Sequence, residues 1–95
     1  KMGLHVQAIT PGLMESLELD SLKGVLVSDV VLDSPAGTAG ILRGDIILEV
    51  NREKINTLND FQTKMDKADT ENTVLFLIKR GGSTSYIAVK MKSDN

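Results

Sequence analysis

The clearest potential for chemistry in this sequence lies at its start, in the run Met2-Gly3-Leu4. A glycine between two large apolar residues lets the backbone turn so that successive N–H groups converge, and such a turn binds an anion such as a carboxylate. Residues 4–9 follow as a short strand, whose edge could pair with an extended peptide. The same apolar-Gly-apolar pattern also marks ordinary turns, so the run alone leaves both interpretations open.

Histidine and cysteine, which commonly take part in catalysis or bind transition metals, are scarce in this sequence. His5 is the single histidine and there is no cysteine, so neither a Cys–His pair nor a transition-metal site can be assembled. No Gly-x-Ser-x-Gly sequence offers a serine nucleophile, and the glycines at 37, 40 and 44 lack the Lys-Ser/Thr of a phosphate loop. We therefore expect no catalytic residue, metal or cofactor, and we interpret His5 as a surface or groove-rim residue.

The composition is that of one soluble globular domain. The 95 residues are 41% hydrophobic and 25% charged, enough for a single core. A net charge of −2 and 3% aromatic residues argue against a nucleic-acid partner. No apolar run is long enough to insert into a bilayer. The chain begins at Lys1 without an initiator methionine or a signal peptide, and we expect it to be part of a longer protein.

Helix signals occur at three places in the chain. Residues 13–19 are predicted to form a short helix, with Thr10 as its cap and Pro11 at its first position. Ser34 is predicted to cap a very short helix that Gly40 ends. Thr57 begins a longer helix, with an expected exposed pair between Asp60 and Lys64. The apolar face of that helix is predicted to consist of Leu58, Phe61, Met65 and Ala68.

Strand signals fill most of the remaining sequence. The pattern predicts strands at residues 24–31, 46–50, 73–79 and 86–91, with a brief one at Ile55. Arg80-Gly81-Gly82-Ser83 is expected to form the turn of a hairpin, and Asp45 is expected to hold its own turn. Five or six strands with two or three helices in this order predict an α+β domain built on a small, mainly antiparallel barrel-like sheet.

A set of short motifs follows in a fixed order along the chain, namely Gly24-Val25-Leu26-Val27, Ser34-Pro35-Ala36, Ala39-Gly40-Ile41, Gly44-Asp45-Ile46-Ile47, Val50-Asn51, Asp60-Phe61 and Ile78-Lys79-Arg80-Gly81-Gly82. This ordered set resembles a PDZ domain of the permuted kind attached to bacterial HtrA/Deg serine proteases. The resemblance covers residues 2–91, and the end of the chain resembles the last domain of such a protease. It implies a PDZ-like β-sandwich, a domain at residues 1–92 and a frayed polar tail at residues 93–95.

The resemblance also implies a peptide groove between the first strand and the helix that starts near Leu58. A peptide carboxylate would bind the amides around Gly3 and Leu4, with Lys1 as a possible charge contact, and the peptide would pair along residues 4–8. Leucine at position 58, where one PDZ class carries histidine, implies an apolar side chain two residues before the peptide end. The implied peptide-binding residues are Met2, Gly3, Leu4, His5, Val6, Ala8, Leu58, Gln62 and Met65.

For the parent protein, the resemblance implies a periplasmic serine endopeptidase of protein quality control and stress response. The partners would be C-terminal or extended segments of unfolded proteins, the parent's protease domain and neighbouring subunits. Two alternatives stay open. One is an assembly or spacer module with an unused groove, and the other is a PDZ domain of a membrane-embedded metalloprotease or of a secretion component.

Overall fold

Antiparallel strand pairing organises the chain. The computed structural model describes residues 2–68 and 70–91, and these form six strands and three helices. The elements in chain order are β1 (Leu4–Ala8), α1 (Pro11–Ser16), β2 (Val25–Val30), α2 (Pro35–Ala39), β3 (Ile46–Val50), β4 (Glu53–Lys54), α3 (Leu58–Ala68), β5 (Thr73–Arg80) and β6 (Ser83–Lys90). The strand order is β1-β2-β3-β5-β6, with β4 beside β3. The predicted α+β class is confirmed.

The core divides into a large and a small cluster. In the large one, Phe61 of α3 stacks on Phe76 of β5, with ring centroids 6.5 Å apart. The strands β2, β3, β5 and β6 contribute most of its buried residues, namely Val25, Val27, Ile47, Val50, Val74, Phe76, Ile78 and Val89. The small cluster is built from Ile9, Leu26 and Ile46 and is covered by residues in and after α1. The helix α3 therefore belongs to the main core, which fixes its position opposite β1.

The helix caps follow the local sequence as predicted. Leu13 donates its N–H to Thr10 Oγ1 at 3.1 Å, and Gly37 donates to Ser34 Oγ at 3.1 Å. Gly40 ends α2 in the left-handed conformation, with φ of 99°. Thr57 Oγ1 accepts from the N–H of Asp60 at 3.0 Å, which begins α3. These predicted caps are confirmed. They could be predicted because each cap depends on only three or four neighbouring residues.

The predicted start of the first helix, with Thr10 as cap and Pro11 at the first position, is confirmed, but its predicted end at residue 19 is wrong, because α1 spans Pro11–Ser16. The chain leaves the helix after Leu17, where Glu18 takes a left-handed φ of 55° and Leu19 donates its N–H to the carbonyl of Met14 at 2.8 Å. This reversal usually uses glycine, so a glutamate at position 18 gave no stop signal.

Two further predictions need correction. The brief strand is Glu53–Lys54 rather than Ile55, which is buried and donates its N–H to the carbonyl of Leu48 at 3.1 Å. Lys64 forms its ion pair with Glu53 Oε1 at 2.6 Å rather than with Asp60. The carboxylate of Asp60 instead accepts the N–H of Asn56 at 2.9 Å. The ion pair joins α3 to β4, so a contact between elements replaces the one expected within the helix.

The last hairpin is longer than predicted. The turn is present but shorter than the expected four residues, because Arg80 ends β5 and Ser83 begins β6, which leaves only Gly81-Gly82 between them. The pairing runs from Arg80 and Ser83 to Thr73 and Lys90. Buried or half-buried residues alternate with exposed ones along its second half, as predicted for a half-buried strand. The predicted tail at residues 93–95 lies outside the described residues. Within the described ranges, no helix is long and apolar enough to cross a membrane.

Candidate functional site

The edge of β1 lies open along one side of the sheet. Among the described strands β1 is terminal in the strand order and pairs only with β2. Val31 donates its N–H to the carbonyl of Gly3 at 2.8 Å, so that carbonyl points toward β2. Because the peptide unit is planar and trans, the N–H of Leu4 points the opposite way, toward the open edge.

The same alternation continues along β1. The carbonyl of His5 accepts a hydrogen bond from Ser28 Oγ on β2 at 3.1 Å, so the N–H of Val6 also faces the open edge. A register shift falls here, since His5 pairs with Asp29 and Val6 with Val27. The extra residue, Ser28, lies on β2, and β1 itself stays regular. An added strand would therefore find donors at regular spacing along β1.

The turn before β1 is fixed by its carbonyl groups. Ala36 at the start of α2 donates its N–H to the carbonyl of Met2 at 3.0 Å, which directs the N–H of Gly3 away from α2. Gly3 has φ of 89°, and any side chain there would collide with Cβ and Oγ of Ser34. Both carbonyls of this turn are thus bound to the protein, while the N–H groups of Gly3 and Leu4 point outward. Such a pair of N–H groups is suited to bind a carboxylate.

Apolar side chains from β1 and α3 meet beside this turn. Leu4 and Val6 alternate with exposed neighbours on β1 and are half-buried against the main core. Leu58 and Met65 of α3 are half-buried against the same core, and Met2 is buried in it. The structure therefore brings together all five residues for which an apolar groove position was expected.

The remaining expected residues lie at the rim or along the strand. His5 and Ala8 are exposed, as is Gln62, one helical turn beyond Leu58 on α3. His5 pairs with Asp29 across β1 and β2, and its place at the groove rim stays a prediction. Lys1, proposed as a charge contact, lies outside the described residues.

One residue that shapes this site was missed by sequence reasoning. Ser34 was expected only as a helix cap, yet it also contacts the turn at Gly3 and donates its Oγ–H to the carbonyl of Val31 at 2.6 Å. The signal was present in the Ser-Pro-Ala motif, but nothing local to it indicates which distant segment it contacts. In the described part of the chain, no group of three or more acidic or histidine side chains could hold a metal ion.

The ion pair at the outer side of α3 supports the groove wall. The hydrogen bond and the charge of Lys64 hold the pKa of the Glu53 carboxyl below its ordinary value. This pair connects α3 to β4, and β4 is itself paired to β3. The ion pair thereby attaches the outer side of α3 to the sheet. On its inner side, α3 is anchored by the buried residues Phe61 and Ala68.

The comparisons with known proteins agree with this geometry. A family model described as PDZ domain matches residues 1–91. Over 92 residues, 97% of this chain, the sequence is 35% identical to a probable periplasmic serine endoprotease DegP-like of Bartonella henselae. It is 34% identical over 91 residues, 95% of this chain, to the protein of that name from Chlamydia muridarum. The chain spans 18% of the length of each of these relatives.

Solved structures of the same fold contain bound peptides. The crystal structure of the HtrA3 PDZ domain bound to the phage-derived ligand FGRWV has a TM-score of 0.79 at 28% identity, covering 95% of this chain and 82% of that one. The HtrA-type protease AlgW with a decapeptide has the same TM-score and identity, covering 95% of this chain and 28% of that one. The family match over nearly the whole length, together with this fold, shows that the chain belongs to the PDZ domain family, in the form found in HtrA/DegP-type proteases.

Proposed function

We propose that this chain is the peptide-binding domain of a periplasmic HtrA/Deg-type serine endopeptidase. It binds C-terminal or extended segments of unfolded proteins by adding them as a strand to β1. The observation that carries this proposal is the pair of outward N–H groups at Gly3 and Leu4, at the head of an open strand edge and opposite an apolar helix face. The peptide-bound structures of HtrA-type relatives support it.

Each groove residue has a distinct role in this proposal. The N–H groups of Gly3 and Leu4 bind the terminal carboxylate, and the peptide backbone pairs along β1 as far as Ala8. The last peptide side chain fills the space between Val6 and Met65. The remaining assignments are Met2 at the pocket base, Leu58 beside an apolar side chain two residues before the peptide end, and His5 and Gln62 at the rim.

The expected affinity is modest. One buried apolar side chain contributes roughly 1.5–3 kcal/mol, and each strand hydrogen bond contributes roughly 0.5–1.5 kcal/mol net. Association costs at least about 4 kcal/mol. The dissociation constant should therefore lie around or above ~1 µM. A parent with several such domains in one oligomer would bind a long substrate more tightly through its multiple sites.

The relatives' names, which describe periplasmic serine endoproteases, support a periplasmic parent, and its proposed role there is protein quality control. There the domain would capture exposed ends of damaged proteins for the protease domain, with binding serving substrate recognition, allosteric control or contact with neighbouring subunits. Its position as the last domain of the parent stays a prediction.

The test is a titration with matched peptides. Short peptides that end in an apolar residue, each with a free or an amidated C-terminus, are added to the isotopically labelled chain while backbone amide resonances are recorded. We expect the amide resonances of Gly3, Leu4 and Val6 to shift, and the free carboxylate to bind at least tenfold more tightly. If amidation has no effect and no peptide shifts these resonances, the groove is unused, and a spacer or assembly role takes its place.

A further inference from the structure

A second apolar surface lies on the other side of the turn that contains Gly3. Leu32, Leu42 and Val31 are 85%, 54% and 47% exposed, and they are half of the large hydrophobic residues that are exposed in the described part of the chain. All three line a single hollow of about 280 Å³, which we name the α2 hollow. Its other lining residues are Val30, Asp33, Gly37, Thr38 and Ile41. Exposed apolar side chains gathered in one place mark an interaction surface.

The turn that presents Leu32 is held rigidly. The carbonyl of Val31 accepts the N–H of Ser34 at 3.2 Å and the Oγ–H of Ser34 at 2.6 Å. Gly37 packs so close that a side chain there would lie 3.0 Å from that carbonyl. Asp33 adopts a left-handed φ of 63°, which costs energy for a residue other than glycine. The backbone that presents Leu32 is therefore held in place, so binding through this turn requires little ordering of the backbone.

Opposite charges flank this surface. Asp33 lines the hollow, and Arg43 directly follows Leu42. Both side chains are exposed, and within the described ranges neither takes part in a salt bridge. The surface thus carries a projecting leucine, a hollow, an acidic group and a basic group.

We propose that the α2 hollow is the interface of a two-fold symmetric dimer of this chain. In such an interface the same surface meets itself, so every projecting group needs its complement on that surface. Leu32 of each copy enters the hollow of the other, and Asp33 of each copy pairs with Arg43 of the other. This contact uses side chains that are not assigned to the peptide groove, although Val31 of the hollow donates its N–H to the carbonyl of Gly3. It would link neighbouring subunits of the parent.

The dimer is weak in isolation. Three exposed apolar side chains bury far less than the roughly 1,200–2,000 Å² of a stable interface. We expect association of the isolated chain in the range of about 0.1–1 mM, and stronger contact where an oligomeric parent holds two copies close together.

The test begins with sedimentation velocity and amide resonances of the whole chain from about 10 µM to 1 mM. We expect the average mass to rise with concentration and the amides of Val31, Leu32 and Leu42 to shift together. Leu32→Asp should give a monomer at every concentration. The matched control is Leu22→Asp, because Leu22 is 44% exposed and lies outside the hollow, and it should behave as the original chain.

Charge exchange tests the two-fold geometry directly. Asp33→Arg and Arg43→Asp should each weaken the dimer at least threefold, because each places like charges opposite one another. An equimolar mixture of the two variants should associate again, since both contacts then join opposite charges, and the double variant should recover in the same way.

Two results would overturn the dimer. One is a chain that stays monomeric at 1 mM, which would assign the hollow to a different partner. The other is a mixture of the charge variants that associates no better than either variant alone. The Leu32→Asp variant should still bind groove peptides with unchanged affinity, so loss of the dimer and loss of the proposed peptide binding are separate outcomes.

Discussion

Arg80, the last residue of β5, forms a two-pronged contact with the buried carboxylate of Asp45. Its Nε and Nη2 donate to the two carboxylate oxygens at 2.8 and 2.7 Å, and Nη2 also donates to the carbonyl of Gly40 at 2.9 Å. These hydrogen bonds raise the pKa of Arg80 above its ordinary value. Asp45 also accepts the N–H of Leu42, which confirms that it holds its own turn. The pair connects the base of the hairpin to the segment between α2 and β3.

Replacing Arg80 by methionine should destabilise the domain strongly. The variant leaves Asp45, only 1% exposed, as a buried carboxylate without its cation. Breaking a buried ion pair in this way costs roughly 3–5 kcal/mol. Because Arg80 is half-exposed, we expect a loss of stability at the lower end of this range, about 3 kcal/mol. Urea denaturation measures the loss. Arg43→Met removes an exposed arginine and should change stability by less than about 0.5 kcal/mol. A loss below about 1 kcal/mol for Arg80→Met would show that water reaches the carboxylate.

The Asp45–Arg80 pair also shows which kind of contact could not be predicted from the sequence. Asp45 and Arg80 were each expected in a turn, and both turns are present, because turn signals depend on adjacent residues, although Arg80 itself ends β5 directly before its turn. Their contact spans 35 positions and depends on how β3 and β5 pair, for which no local pattern exists. The end of α1 was predicted wrongly for a related reason. The left-handed residue there is Glu18, and the packing of the small core cluster overrides the preference of a residue other than glycine for a negative φ.

Some features of the candidate site could likewise be predicted from the sequence, and others could not. The apolar face of α3 and the alternation along β1 follow from periodicity, so the groove walls could be predicted from the residues. The direction of the N–H groups at Gly3 and Leu4 could not, because it depends on hydrogen bonds from Ala36 and Val31 to the neighbouring carbonyls. Glycine at position 3 indicated a turn, and the contact with Ser34 explains why no other residue fits.

The Glu53–Lys64 pair should make the attachment of α3 dependent on pH. Because the pKa of Glu53 is lowered in the folded state, the pair stabilises the domain above the unfolded-state pKa of glutamate. That stabilisation is lost as the pH falls through the lowered folded-state pKa. Glu53→Gln should therefore lower stability at pH 7, and this loss should become smaller as the pH falls to 3 and also at high salt.

Thermal denaturation at the two pH values measures this effect, with Glu15→Gln as a control that removes an exposed carboxylate from α1. A Glu53→Gln loss of equal size at pH 3 and pH 7 would contradict the ionic origin. Titration of the Glu53 carboxyl followed by carbon NMR adds a direct readout, since its pKa should rise in a Lys64→Met variant.

Gly3→Ala should damage both the fold and the proposed carboxylate site. Alanine pays about 1–2 kcal/mol for the left-handed backbone, and its Cβ would collide with Ser34, so the turn must shift. We expect destabilisation of at least about 1–2 kcal/mol, and peptide affinity should fall at least tenfold, about 1.4 kcal/mol. Gly12→Ala is the matched control, because its nearest neighbour would be 3.9 Å away and its φ is not positive. A Gly3→Ala variant that binds peptide normally would show that the N–H groups of this turn do not hold the carboxylate.

Leu58→His should change which peptides the groove prefers. Leu58 is the first residue of α3 and is half-buried against the core, where its apolar surface favours an apolar side chain two residues before the peptide end. An imidazole at this position can form a hydrogen bond with a hydroxyl, worth roughly 0.5–1.5 kcal/mol. Two peptides that differ only by valine or threonine at that place measure the preference by calorimetry. The original chain should favour valine, whereas the variant should favour threonine by about two- to tenfold. Leu58→Met keeps an apolar side chain and should retain the preference for valine. If both variants and the original chain treat the two peptides alike, Leu58 does not contact the peptide, and the pocket for this side chain lies elsewhere along α3.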